Sequence, residues 1–230
     1  MNEFLTKFIS PSRVDEFLQY QSGVDYFGNT YTADMFITKL LRLEPPDAYL
    51  RMEAGSAVHY FVEMADLATL AKQKLSISFY KRWCIELNNI PPFVANFIDY
   101  PKKLCREVKV KGEIAGIMLR GTVDAINSNT VYDVKTYTTK TKVYTYADSM
   151  QWRIYLLLTG LEHFIYKFVG VDVDTENRKV TLTGKYDQWT CHAYPEMRKD
   201  VEKAVWDYYC HLEALEPHIK TRLSLIAPIF

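Results

Sequence analysis

From Cys105 to Thr136 the apolar period of the sequence is two, and this segment restricts the fold more than any other. Cys105–Lys111 reads as a strand and Gly112-Glu113 as a hairpin turn. Ile114–Arg120 and Thr122–Ile126 continue the pattern on either side of Gly121. Asn127-Ser128-Asn129 reads as a turn and Val131–Thr136 as a further strand. Consecutive strands of this kind form a meander, so a sheet is expected at the centre of the fold.

Helical patterns flank the meander. Ser10-Pro11 supplies an N-cap and a first helical residue for a helix reaching about Tyr20, with Val14, Phe17 and Leu18 at helical spacing. A second helix is expected from about Ala33 to Leu43, where Pro45-Pro46 stops it. A third runs from about Glu53 to Lys74, with Val58, Phe61, Val62, Ala65, Leu67 and Leu70 apolar. Leu75–Tyr100 has no clear period and is split by Pro91-Pro92. After the meander come a helix over about Asp148–Thr159, stopped by Gly160, and strands over His163–Val169 and Val180–Lys185. Pro195 then opens a last amphipathic helix to about Leu215. The order predicts an α/β (α+β) fold, a mixed sheet with helices packed on it, in a single domain over residues 1–230.

The charge balance bounds the function. The 28 Lys+Arg residues match 28 Asp+Glu residues, which excludes a generally basic protein that coats nucleic acid and leaves room for a local basic cleft. Cys84, Cys105, Cys191 and Cys210 form no C-x-x-C pair, so they read as reduced and mostly buried. No run approaches the ~18 apolar residues of a membrane-spanning helix. Met1–Lys7 lacks the apolar run of a signal peptide, and a cytoplasmic protein is expected.

Chemistry concentrates in Gly121-Thr122-Val123-Asp124 and Tyr132-Asp133-Val134-Lys135. Alternation puts Asp133 and Lys135 on one face of a strand, and pairing across the Asn127–Thr130 turn brings Asp124 towards it. Two convergent carboxylates make a hard-oxygen site suited to Mg²⁺ or Mn²⁺. A lysine beside them can hold a water and help it lose a proton, which completes the parts of metal-assisted phosphodiester hydrolysis. His59 and Glu63 are four apart on a helix, as are Gln151 and Tyr155, so each pair can address a single site. Each piece also has a plainer reading: exposed charged strand residues, a core histidine between Val58 and Phe61, an ordinary helix face.

Asp124-x8-Asp133-Val134-Lys135 resembles the signature of the PD-(D/E)XK nuclease superfamily. The likeness is greatest to the branch containing the RecB nuclease domain, CRISPR-associated RecB-type exonucleases and phage exonucleases of the lambda and RecE kinds. Gly55-Ser56-Ala57-Val58-His59 followed by Glu63 is similar to that branch's G-x-x-x-H-x-x-x-E helix. Gln151 and Tyr155 match its Q-x-x-x-Y helix, and Ile9-Ser10-Pro11-Ser12-Arg13 its N-terminal helix start. The matches keep the family's order over roughly two-thirds of the chain.

The resemblance implies a restriction-endonuclease-like core and a metal-dependent DNA exonuclease of recombination, repair, or phage and mobile-element DNA processing. It implies His59, Asp124, Asp133 and the Val134 carbonyl as ligands to Mg²⁺ or Mn²⁺. Lys135 would position and activate the water, and Glu63, Gln151 and Tyr155 would orient these groups or the strand. Family members with a 4Fe–4S cluster place a Cys after the first helix and three more near the C-terminus. Here Tyr20-Gln21 stands in the first place and Cys191 and Cys210 lack close companions, so no iron–sulfur cluster is expected. No P-loop motif is present, so an ATP-driven partner would be a separate chain. A recombinase or single-strand annealing protein is the kind of partner the resemblance implies, and ring-forming relatives make a homo-oligomer compatible with it.

The expected substrate is DNA with a linear single- or double-stranded end. Between Lys102 and Lys142 nine basic residues face four acidic ones, two of which are the expected metal ligands. Arg120 lies in this stretch, and the following loop interleaves Lys140 and Lys142 with Tyr144 and Tyr146, a pattern suited to phosphate contact and base stacking. The alternative for that loop is a solvated segment whose tyrosines pack locally. Two rival functions remain at this level: a non-catalytic DNA-binding or assembly module on the same fold, and a structure-specific endonuclease. Zero net charge further predicts modest non-specific binding, with retention on DNA depending on metal, a free end or a partner.

Overall fold

The computed structural model describes residues 3–7, 9–24, 29–43, 45–101, 105–138 and 143–226. Its centre is a seven-stranded mixed sheet in the order β1-β2-β7-β6-β5-β4-β3. The strands are β1 (Ser76–Tyr80), β2 (Trp83–Leu87), β3 (Arg106–Ile114), β4 (Ile117–Ile126), β5 (Thr130–Tyr137), β6 (His163–Asp174) and β7 (Lys179–His192). β3, β4 and β5 form the predicted antiparallel meander. β5 pairs parallel with β6, β6 antiparallel with β7, and β7 parallel with β2. This is the restriction-endonuclease-like core, with helices on both faces.

One face carries α1 (Glu3–Thr6), α2 (Pro11–Ser22), α3 (Ala33–Leu40), α7 (Met150–Thr159) and α8 (Met197–Ile226). Phe17, Phe36, Tyr155, Phe164, Phe168 and Tyr208 build its core. The other face carries α4 (Pro46–Met64) and α6 (Ile90–Phe97), packed through Val58, Phe61, Phe93 and Phe97 onto Tyr132, Val134 and Val169. A short α5 (Leu67–Leu70) follows α4. No helix among the described residues is long and apolar enough to cross a membrane.

Local chemistry explains the helix ends. Ser10 caps α2 with its side chain accepting from Arg13 N–H, and Gly23 closes the helix in the left-handed region. Several boundaries differ from expectation. Pro45-Pro46 opens α4 instead of merely ending α3, because Pro46 at the first turn gives up no hydrogen bond. α4 stops at Met64, where Ala65 turns extended and Asp66 caps the separate α5 through Ala68 N–H at 3.1 Å. Pro91 and Pro92 likewise sit in the first turn of α6.

Gly112-Glu113 does not turn. The hairpin is made by Ala115 and Gly116, both at positive φ, between the paired Ile114 and Ile117. Gly112 instead packs against α7: a Cβ there would lie 2.9 Å from Leu158 Cδ2, and that side chain would have to shift. β6 and β7 are longer than their sequence pattern, because central residues of β6 are buried on both faces and alternation disappears. α8 continues through Pro217 to Ile226. All four cysteines are free, and Cys105 and Cys210 are exposed, contrary to the expectation that they are mostly buried.

Candidate active site

The site lies in a fork of the sheet. β4 and β5 pair only at Ala125–Tyr132 and Ile126–Val131 and then part. Beyond the fork β4 stays with β3 and β5 with β6. Asp124 and Asp133 are the first residues past the last rung. At this point Val123 packs with the α7-side core and Ala125 with the α4-side core, so the faces of β4 exchange at Asp124. Glu107, in β3 between the pairs Arg106–Ala125 and Val108–Val123, has a left-handed backbone with φ 54°. The edge strand is therefore distorted beside the same place.

Each carboxylate has its own partner. Asp124 Oδ2 accepts the Val134 N–H at 2.6 Å and lies 3.3 Å from His59 Nδ1 on α4. Asp133 is 5% exposed, and its Oδ2 lies 2.8 Å from Lys135 Nζ. No hydrogen bond of good geometry reaches that oxygen, so the ammonium is its neighbour by charge. Lys135 donates to Gln151 Oε1 at 3.2 Å and lies 5.8 and 6.0 Å from the ring centres of Tyr146 and Tyr166. The α4 side thus holds Asp124 and the α7 side holds Lys135.

Burial dominates the electrostatics and neighbouring charge sets its outcome. Burial pushes the Asp133 carboxyl up, Lys135 opposes this and Asp124 adds to it, and the group lies at about 6. Burial also opposes the charged form of Asp124, but His59, the Val134 N–H and Lys135 hold it below the usual carboxylate range. Burial would lower His59, yet Asp124 and Asp133 keep it above its ordinary value. Lys135 is desolvated as well, and Asp133 nonetheless holds it above the ordinary lysine range as an ammonium.

The elements that carry these groups are fixed from behind. Arg106 donates to the carbonyls of Val62, at 3.0 Å, and Glu63, tying the end of α4 to β3. Asp15 on α2 accepts the Met150 N–H at 2.6 Å, and Ser149 accepts from Gln151 N–H at 3.1 Å, so the first turn of α7 is doubly capped. Tyr155 is buried and donates to the Thr122 carbonyl at 2.9 Å. Its ring fills the space beside Gly121, where a Cβ would come within 2.8 Å of Tyr155 Cε1.

The structure brings together His59, Asp124, Asp133, Val134, Lys135 and Gln151. It places Glu63 one turn beyond His59, near Glu107, whose carboxyl is raised by burial and then by the charges of Asp124 and Glu63. Tyr155 is a clamp on β4, and Gly121 leaves the room its ring fills. Tyr146 packs on Tyr166 and Phe168, with ring centres 5.3 and 5.4 Å away, and is no exposed stacking surface. Arg120 is exposed on β4. Lys140 and Lys142 lie outside the described residues, as does the side chain of Tyr144. Sequence reasoning missed Glu107, Tyr166, Arg106 and Asp15. Only the placement of Glu107 at the start of the alternating segment could have drawn attention to it.

The donor set of two carboxylates, an imidazole and a strand carbonyl suits a hard divalent cation, and Asp133 Oδ2 is a buried carboxylate oxygen faced by the Lys135 ammonium. Among the described residues no three His, Cys, Asp or Glu side chains are already drawn together at metal-holding distances. Asp124 is held by His59 and the strand, and Asp133 by Lys135.

No protein-family model matches the sequence, and no curated protein matches it. Among solved structures, an alkaline exonuclease (LHK-Exo) from Laribacter hongkongensis is similar at 12% identity and a TM-score of 0.44, over 95% of this chain and 94% of that one. The same exonuclease in complex with dAMP gives 13% identity and a TM-score of 0.44, over 98% and 100% of the two chains. The protein SSO0001 gives 16% identity and a TM-score of 0.43, over 89% and 73%. At these identities the chemistry has to be read from this chain's own side chains.

Proposed function

We propose that the forked site hydrolyses phosphodiester bonds in DNA with Mg²⁺ or Mn²⁺, acting as an exonuclease. The observation that carries this reading is the placement of Asp124 and Asp133 on two strands that part between them, with Lys135 at 2.8 Å from Asp133. His59, Asp124, Asp133 and the Val134 carbonyl would hold the cation. When bound, it supplies Lewis-acid stabilisation of charge on the phosphoryl oxygens. Beside Asp133 and without a cation Lys135 is held as an ammonium, which can orient a water oxygen or a non-bridging phosphate oxygen. With a divalent cation bound next to it, its pKa would fall and it could help that water lose a proton. Gln151 fixes the direction of that ammonium, and Tyr146 and Tyr166 shield it from bulk water. Tyr155 and Glu63 act at one remove, by positioning β4 and by charge near Glu107.

A role in recombination, repair or phage DNA processing, with a recombinase or annealing protein as partner, extends the same reading. A time course on end-labelled linear single- and double-stranded DNA with Mn²⁺ tests it, with closed circular DNA as the comparison. Loss of nucleotides from ends, with circles intact, supports an exonuclease; cutting of circles means an endonuclease. One observation favours a second reading, a DNA-binding module without catalysis: the ligands are not drawn together. Calorimetry separates the two, because that module binds DNA and takes up no divalent ion.

A further inference from the structure

The β3–β4 hairpin carries an open groove of about 660 Å³ lined by Lys109, Val110, Lys111, Arg120, Gly121 and Thr122. In the pairing of the two strands Lys109 stands opposite Thr122 and Lys111 opposite Arg120. Leu119 and Val123 belong to the α7-side core, and Gly112 and Gly121 abut Leu158 and Tyr155 of α7. By alternation Lys109, Lys111, Arg120 and Thr122 project from the opposite face, and all four are exposed. Among the described residues no acid pairs with any of the three cations. Lysine and arginine heads left unpaired on one face of a ribbon, two of them directly opposite, repel one another unless an anion joins them.

The groove also has a direction. From Asp124 along β4, the pairs that face this side are Thr122–Lys109, two residues away, and Arg120–Lys111, four residues away. At about 3.4 Å per residue, Arg120 stands roughly 14 Å along the strand from Asp124. The cations are spaced by two residues, about 7 Å, along the strands and by one strand, about 5 Å, across them, which suits a single phosphodiester chain and is far narrower than a duplex. Their aliphatic stems give the groove apolar walls beneath the charged heads, and Val110 and Gly121 form its floor between them.

We infer that this groove binds the phosphodiester backbone of one nucleic-acid strand, the stretch adjoining the bond held at Asp124 and Asp133. Lys109, Lys111 and Arg120 hold its phosphates, and Thr122 offers a hydroxyl nearest the site. The inference rests on the nuclease reading for its orientation, although binding in the groove needs only its own residues. The strand reaches the groove either as a free single strand or as one strand of a duplex.

Fluorescence anisotropy in EDTA tests this without cleavage. The probes are a labelled single-stranded oligonucleotide and the blunt duplex of the same sequence, each titrated at several salt concentrations. The triple variant Lys109→Ala, Lys111→Ala, Arg120→Ala is expected to bind at least tenfold more weakly. Its plot of log affinity against log salt should be shallower by about 2 for the single strand, from three contacts at ~0.7 each. A control with Arg198→Ala, Lys199→Ala and Lys203→Ala on α8 removes the same charge and should leave both quantities unchanged. Loss with the single strand alone assigns a free strand, and loss with both probes assigns one strand of either form. Unchanged affinity and slope in the groove variant, or an equal loss in the control, would overturn the inference. So would polyglutamate that binds the wild type as tightly as the oligonucleotide and loses as much in the variant, because the groove would then take acidic chains in general. If the wild type degrades DNA while the groove variant binds normally, the groove fails and the nuclease reading stands. If the wild type never degrades DNA while the groove variant loses binding, the opposite holds.

Discussion

The Asp124 carboxylate accepts the Val134 N–H at 2.6 Å, where the β4–β5 ladder has already stopped. A side chain thus replaces a main-chain rung. This keeps the fork from opening further and leaves the Val134 carbonyl free of β4. It also makes Asp124 structural as well as chemical, and the two roles can be separated.

Asp124→Ala leaves the Val134 N–H without its charged acceptor, at a cost of ~1.5–3 kcal/mol. Asp124→Asn retains an amide oxygen for the same N–H and should lose less than half as much. Both variants should lose cleavage and metal uptake. Urea unfolding of the metal-free proteins checks the stabilities, and an equal loss for Ala and Asn would contradict this account of the fork.

Metal affinity should depend on pH in two stages. Asp133 lies at about 6, and His59 lies above its ordinary value of 6.5. Both must be deprotonated to act as ligands, so protons compete with the ion on the acid side. Below pH 6 two protons are displaced, and affinity should rise about a hundredfold per pH unit. Between the two pKa values the rise should fall to about tenfold per unit, and above the His59 value it should level. Mn²⁺ calorimetry from pH 5 to 8 measures this, and an affinity independent of pH would remove His59 and Asp133 from the ligand set.

Gly121→Ala places a methyl within 2.8 Å of the Tyr155 ring, and the ring must move. Overpacking of this kind costs ~1–3 kcal/mol. Tyr155→Leu removes the obstructing ring edge, so the double variant should be less destabilised than the sum of the two singles. Additive losses in denaturant unfolding would mean that Gly121 answers to something other than Tyr155.

Gln151→Ala frees the Lys135 ammonium from its oxygen at 3.2 Å without emptying the core. Turnover should fall by ~10- to 100-fold as the group loses its direction. DNA affinity in EDTA and the unfolding midpoint should stay close to wild type. A fall in affinity with turnover unchanged would make Gln151 a strand contact instead.

Much of the site was legible in the sequence because strand chemistry is local. Asp124, Asp133 and Lys135 follow from alternation and one tight turn, and His59 and Gln151 from four-residue helical spacing. What was not legible depends on long-range packing. Gly112 looks like a turn residue until α7 is placed over it, and nothing local says that the ring of Tyr155 lies against Gly121. Tyr146 reads as a stacking residue in a polar loop, yet it closes over Lys135 against Tyr166. The prolines before α4 and α6 read as interruptions because the sequence alone does not say on which side of a proline a helix lies. β6 lost its period because both of its faces are covered.

In the proposed function Asp133 and Lys135 perform metal-dependent phosphodiester hydrolysis. Its most direct test is cleavage of end-labelled linear DNA by the wild type, Asp133→Ala and Lys135→Ala, each with Mn²⁺ and with EDTA. The wild type should lose labelled ends rapidly in Mn²⁺ and not at all in EDTA, and each variant should be slower by at least ~10²-fold. Cleavage that persists in EDTA, or full activity in either variant, would contradict it.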